Sequence, residues 1–393
     1  MSATLKKHSG WLLPIILISY FVVGFPDGAF TISWLGISYD MSLITIHSGF
    51  ILVGYSVTYT LAGVILSNIN KLLRLQTIYL LGLVIMGTGF IALALSPNFI
   101  TVLLSIALYG FGTGAMASSM NSYMAKHFTA RHNNWMHCAW GGGATLTPLV
   151  MTQAMAVFSW RAGYFAITAF MVLIALMLLI SMAKKIWTNE TQKQTVEEKI
   201  TIKKRYLTKK WHQSVEVLTF FFLGGTDYTL VFFTGVVLIE RGFGVYSVGL
   251  LPAVYYVCMT IGRMFFGWLA KWLKEVPIIR LGICIAAVGI ITLFFTRNTI
   301  TIGIVGMALT GFGLSPLLPT LVSDTSNRFT PHIISKLVGY ELAAFGAGIA
   351  VLFFITSLAL SFISYEILFP IGLSFIALVF ICNEILERAV KAE

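Results

Sequence analysis

The chain has 393 residues, of which 58% are hydrophobic and 10% charged, and its mean hydropathy is +0.88. A soluble protein carries about a quarter charged residues, so water cannot be the solvent for most of this exterior and lipid must be. The net charge of +11 does not mark a nucleic-acid binder, because the basic residues sit in short loops between apolar runs rather than in a basic domain.

A helix needs about 20 apolar residues to cross the hydrocarbon core. Stretches at 11–34, 43–67, 75–95, 98–125, 134–158, 162–183, 214–238, 245–270, 277–296, 299–323, 333–359 and 362–386 meet that length. The fold class expected is therefore all-α integral membrane, with twelve transmembrane helices. Residues 1–183 are expected to form an N-terminal six-helix bundle, 184–213 a cytoplasmic linker, and 214–393 a C-terminal six-helix bundle. The first apolar run is too long for the core of a signal peptide and reads as the first span.

Span 1 carries Asp27 directly after Pro26, where a loosened helix offers free backbone partners. Span 2 carries Tyr55 and Tyr59, and span 4 carries Asn121 and Tyr123. Span 5 opens Asn133-Asn134-Trp135-Met136-His137-Cys138-Ala139-Trp140-Gly141-Gly142-Gly143-Ala144. These glycines are not a phosphate loop, since no Lys-Ser/Thr follows and no strand precedes; small residues let helices approach closely. His137 and Trp140 share a helix face at i, i+3. A histidine in a span can carry protons and a tryptophan can stack on a flat ligand or sugar; a packed structural pair is the alternative.

The stretch after span 6 is rich in Lys, Glu and Thr and includes the sequon Asn189-Glu190-Thr191, expected to be silent in a cytoplasmic linker. Span 7 carries Asp227, and span 8 carries Tyr255, Tyr256 and Arg263. The arginine is expected about one turn from the inner end, as a gating residue, an anion ligand or an interface anchor. Pro316 and Pro319 mark a kink in span 10, and Glu341 lies about two turns into span 11. Glu216 and Asp324 near inner helix ends, with Glu240 and Glu366 near outer ones, are expected to be solvated.

A carboxylate in the bilayer costs several kcal/mol unless it is paired, hydrated or protonated. Desolvation favours the neutral form, so Asp27, Asp227 and Glu341 are the candidate proton-coupling residues; a structural hydrogen bond between helices is the other reading of each. Asn121, Tyr123, His137, Trp140, Tyr55, Tyr255 and Tyr256 are the candidate substrate-binding residues, although many will be ordinary interface aromatics.

Most of the 26 Lys and Arg fall in alternate loops; Arg161, Arg241 and Arg297 fall on the other side and Arg263 within a span. The positive-inside rule then places both termini and the linker in the cytoplasm. Gly24-Phe25-Pro26-Asp27 matches Gly224-Gly225-Thr226-Asp227, and Tyr55 matches Tyr255 at the same offset. Gly110-Phe111-Gly112 matches Gly311-Phe312-Gly313 at nearly that offset. Such a parallel repeat is how two halves come to rock about a central cavity. The cysteines Cys138, Cys258, Cys284 and Cys382 lie in apolar runs without paired or metal-ligand spacing. No catalytic or nucleotide-binding motif is found, so no enzyme activity, metal or cofactor is expected.

Several segments resemble the major facilitator superfamily, specifically its fucose-permease-like branch of sugar:proton symporters. They are Gly24-Phe25-Pro26-Asp27-Gly28, Asn121-Ser122-Tyr123, and the run from Asn134 through Gly141-Gly142-Gly143 to Thr147-Pro148. In the second half they are Thr260-Ile261-Gly262-Arg263-Met264-Phe265-Phe266-Gly267 and Gly311-Phe312-Gly313-Leu314-Ser315-Pro316-Leu317-Leu318-Pro319. The resemblance implies two pseudo-symmetric bundles, a central substrate cavity, proton symport, and a coupling role for Asp27. The chain departs from the pattern in span 4, where Ala117-Ser118-Ser119-Met120 precedes Asn121 without an acid. It departs again after span 2, where Ser67-Asn68-Ile69-Asn70-Lys71 lacks the usual Asp, and after span 8, which has Lys271.

The expected function is secondary active transport of a small polar solute, a sugar or sugar derivative, by alternating access and coupled to protons. Proton-antiport export of drugs or metabolites, and uncoupled facilitation, are the alternatives. The expected partners are that solute, protons and membrane lipid, in a monomer of the bacterial inner membrane.

Overall fold

The computed structural model describes residues 11–69, 74–128, 130–184, 186 and 207–392. Most of the linker, the sequon at Asn189, and Asn70 and Lys71 lie outside the described residues. Among the described residues the chain forms fourteen α-helices. The first half contains α1 Leu12–Phe21, α2 Phe25–Asp40, α3 Ile46–Ile69, α4 Leu75–Ala94, α5 Phe99–His127, α6 Ala130–Val157 and α7 Trp160–Ala183. The second contains α8 Lys210–Glu240, α9 Val245–Leu269, α10 Glu275–Phe294, α11 Ile300–Leu314, α12 Leu317–Arg328, α13 Pro331–Phe362 and α14 Leu368–Ala392. Among the described residues the only extended pairing is an isolated bridge between Leu207 and Phe329.

Two sequence spans are each built from two helices. Span 1 is α1 and α2 joined by a 3-10 turn at Val22–Gly24, and it runs to Asp40 rather than stopping near 34. Pro26 accounts for the break: it has no N–H to give the preceding turn, and its ring crowds the carbonyl four residues back. Span 10 is interrupted at Ser315-Pro316 between α11 and α12, the kink the prolines imply. Pro319 falls in the first turn of α12, where the missing N–H is one the helix would leave unpaired anyway.

Eleven helical segments among the described residues are long and apolar enough to span a membrane. The twelfth stretch forms the 28-residue α6. It is long enough to cross, but Asn133, Asn134, His137, Gln153 and three successive glycines make it the most polar of the set.

The chain separates into two compact units, residues 1–30 with 57–197 and residues 31–56 with 198–393. In the first, α4 packs on α5 and α7, and α1 on α6. Tyr79 donates across to the Ser19 carbonyl at 2.7 Å. Gly24 and Gly28, spaced as a small-xxx-small pair, leave no room for a Cβ against Trp140 O and Ala144 O; Gly143 is equally closed against Phe21 O. Backbones in such contact bind helices tightly in lipid, where there is no hydrophobic drive between them. This close crossing of α1–α2 over α6 sets the height of Asp27 against α6.

In the second unit α8 is the central helix, packed on α13 and α14, and the same device recurs. Gly224 closes on Phe345 O, and Gly348 on Phe221 O. The segment 31–56 belongs to this unit: Thr45 Oγ1 lies 3.1 Å from Tyr365 Oη, and Phe50 meets Phe354 edge-on at 5.1 Å. Glu366, beside Tyr365, accepts from Arg241 at 2.7 Å and from Arg297 at 2.8 Å. Arg241 also donates to the carbonyls of Leu293 and Thr296. Glu366 is therefore held by two guanidinium groups while its side chain stays partly exposed.

Candidate functional site

In the first unit, a set of polar groups gathers where α1 and α2 cross α5 and α6. The indole Nε1 of Trp140 donates to Asp27 Oδ2 at 3.0 Å. Asn121 Nδ2 donates to Tyr20 Oη at 3.0 Å, and the Tyr20 ring meets the His137 imidazole edge-on at 5.9 Å. The i, i+3 spacing of His137 and Trp140 points one at Tyr20 and the other at Asp27, one and two turns along the same partner. Tyr59 and Tyr109 lie within electrostatic reach of the Asp27 carboxylate. Asp27, Asn121, His137 and Trp140 are all half-buried, so they are shielded from lipid without being sealed. An indole N–H is a neutral donor: it orients a carboxylate but leaves its charge in place.

Tyr123, two residues beyond Asn121 on α5, packs against Phe128 at 6.1 Å. Tyr55 lies half-buried in α3, within the second unit, and is described apart from Asp27. Tyr20 carries two of the contacts that assemble the first-unit set, yet nothing in its sequence context, an apolar helix, singles it out.

In the second unit, Asp227 on α8 accepts a hydrogen bond from the Tyr255 hydroxyl on α9. Tyr256 meets the Tyr255 ring edge-on at 5.4 Å. Arg263, two turns further along α9, is within electrostatic reach of both Asp227 and Tyr255, and its Nη2 lies 3.6 Å from Met259 Sδ.

Glu341 is elsewhere in the second unit, in a cluster centred on Arg328. The Arg328 guanidinium is 1% exposed and contacts Glu216 at 3.0 Å, Asp324 at 2.8 Å and Glu387 at 3.5 Å. It also donates to Asn383 Oδ1 at 2.6 Å. Glu341 Oε1 is 2.9 Å from the Thr325 hydroxyl. Glu216 and Asp324 are thus 0% and 4% exposed, where solvated positions were expected. The reason is an apolar cap. Leu207, Phe329, Leu337 and Leu386 pack over the ends of α8, α12, α13 and α14, and Leu207 N is bonded to Arg328 O at 2.7 Å. The one local hint in the sequence is the i, i+4 spacing of Asp324 and Arg328.

Among the described residues no group of His, Cys, Asp and Glu is arranged to hold a metal ion. The arrangement is a helical membrane protein with two internal polar sites at equivalent repeat positions, the construction of a solute transporter.

The sequence model of the Major Facilitator Superfamily matches residues 12–351, and the chain belongs to that superfamily of transporters. A curated relative, the hexuronate transporter of Bacillus subtilis (strain 168), is 24% identical over 329 residues, covering 78% of this chain and 75% of that protein. The fold is also that of a bacterial homolog of the human lysosomal transporter Spinster, solved inward-facing and occupied. That likeness has a TM-score of 0.74 at 14% identity and covers 98% of this chain and 97% of that one. The nucleoside transporter NupG matches with a TM-score of 0.75 at 12% identity, over 95% of this chain and 99% of that one.

Proposed function

We propose that the chain imports a sugar or sugar derivative by alternating access, coupled to protons through Asp27. The observation that carries this reading is the bond from Trp140 to Asp27 beside the Tyr20–Asn121–His137 set. An indole face suits the apolar face of a sugar ring, while a carboxylate, an amide and a phenol suit its hydroxyls. A half-buried acid oriented by a neutral donor can exchange its proton for a substrate hydroxyl without breaking an ion pair. The relative that handles hexuronates and the fold neighbour that handles nucleosides support a sugar-bearing solute.

Asp227 with Tyr255, Tyr256 and Arg263 forms a second polar site, within the second unit, that also takes part in solute recognition. Arg263 favours a sugar acid, because a guanidinium receives a carboxylate with two parallel hydrogen bonds. The protein works as a monomer in a bacterial inner membrane with both termini and the linker cytoplasmic. A second reading, uncoupled facilitation, is favoured by the absence of an acid in Ala117–Met120 before Asn121.

The test is reconstitution into liposomes holding a pH-sensitive dye, followed by a panel of sugars, hexuronates, nucleosides and cationic drugs. Acidification driven by one of the sugar-class solutes in the parent, and lost in Asp27→Asn, supports the proposal. Equilibration of radiolabelled solute without proton movement in the parent favours the facilitator, and outward proton exchange with a drug favours an exporter.

A further inference from the structure

The cluster around Arg328 holds more acid than its positive charge can balance. Arg328 supplies one positive charge and already contacts Glu216 and Asp324, with Glu387 at 3.5 Å. Glu341 is 0% exposed and faces the same cluster, within electrostatic reach of Glu216 and Arg328. The other titratable groups come from each packed helix: His212 one turn before Glu216 on α8, Asp324 on α12, and Cys382 and Glu387 on α14. On α13 itself, Lys336 lies at an exposed position with its ammonium over the exposed Tyr340 ring at 5.6 Å, away from the buried face that carries Glu341.

The hydrogen bonds around Glu341 sharpen the count. Thr325 Oγ1 lies 2.9 Å from Glu341 Oε1 and 3.1 Å from the Leu321 carbonyl. A hydroxyl has one proton and two lone pairs. It cannot donate fully to both acceptors, and of the two only the Glu341 carboxyl can carry a proton of its own. Glu341 Oε2 is buried with no hydrogen-bond partner. An ionised carboxylate left so would forfeit the solvation of its charge, whereas the carbonyl oxygen of a neutral acid forfeits far less.

We propose that Glu341 binds a proton in this structure and donates it to the Thr325 hydroxyl, with Arg328 as the group whose movement releases it. The relay runs from the Glu341 O–H to Thr325 Oγ1, and from the Thr325 O–H to Leu321 O. While Arg328 stays on Glu216, a charged Glu341 would add a fourth carboxylate to the three already around one guanidinium. When α12 shifts and Arg328 leaves Glu216 for Glu341, the carboxylate gains its counter-charge and the proton passes to water. The cap of Leu207, Phe329, Leu337 and Leu386 must open for that exchange.

The use of this proton in transport rests on the proton coupling proposed above, but the proton itself is read without any solute. Infrared spectra of the purified full chain at neutral pH should contain a protonated-carboxyl C=O band that Glu341→Gln removes and Asp27→Asn leaves in place. Thr325→Val should shift that band in frequency, because its acceptor is gone, while Thr325→Ser should leave it where it is. If Glu341→Gln does not fold, the Val and Ser pair at position 325 decides the matter. A Glu341→Gln spectrum identical to the parent's, or a band indifferent to Thr325→Val, overturns the assignment. A chain that keeps the band but moves no protons with any solute would sink the coupling and leave this site standing.

Discussion

Asp27 and Asp227 occupy matching places in the two halves of the sequence repeat, yet they are held in different ways. Asp27 takes a hydrogen bond from an indole N–H. Asp227 takes one from a phenol and has a guanidinium within electrostatic reach. Both halves use close glycine crossings to set the height of the acid, Gly24 and Gly143 in one and Gly224 and Gly348 in the other. The scaffold is thus repeated while the electrostatics are not. A repeat fixes where a side chain arrives, and the residues of the facing helix decide its chemistry. On the proposed reading the proton therefore belongs to Asp27, and Asp227 with Arg263 adds charge recognition of the solute to what Trp140 and Asn121 supply.

The sharpest structural contrast is with the Arg328 cluster, which is sealed where the two aspartates are half-open. Arg328→Ala strands Glu216 and Asp324 in the interior, and removing one member of a buried pair costs about 3–5 kcal/mol. A large drop in thermal stability in detergent is expected, partly restored by adding Glu216→Gln. If Arg328→Ala is as stable as the parent, the cluster is wetter than its burial implies.

Gly24→Val tests the shared scaffold. The added side chain meets Trp140 O and Ala144 N, and overpacking of this kind costs about 1–3 kcal/mol. Because the crossing positions Asp27, solute uptake should fall further than stability does, and Gly224→Val should show the same effect through Phe345. Changes confined to one hydrogen bond separate the two acids directly. Trp140→Phe keeps the ring and removes the N–H, a hydrogen bond to a charged group worth about 1.5–3 kcal/mol. The pH profile of uptake should move in Trp140→Phe and remain in place in Tyr255→Phe, which should raise KM instead.

Much of this was legible in the sequence because lipid imposes simple rules. The positions of the spans and the Pro26 and Pro316 breaks follow from residue type and spacing alone. The bond between Trp140 and Asp27 does not, since it depends on how closely α1 and α2 cross α6. Glu216 and Asp324 were misread as solvated because helix ends usually reach water. Their burial depends on Leu207, near the end of the 184–213 stretch, bonding to Arg328 O, a tertiary contact with no local signature. Tyr20 was missed for a related reason: in an apolar helix a lone tyrosine looks like an interface anchor until Asn121 and His137 are seen beside it.

The most direct test of the division of labour compares Asp27→Asn with Asp227→Asn in liposomes, measuring solute counterflow and solute-driven proton movement on the same preparations. The account predicts that Asp27→Asn keeps counterflow and loses proton movement, whereas Asp227→Asn weakens counterflow and keeps the ratio of protons to solute. Proton movement that survives Asp27→Asn and vanishes in Asp227→Asn would contradict it.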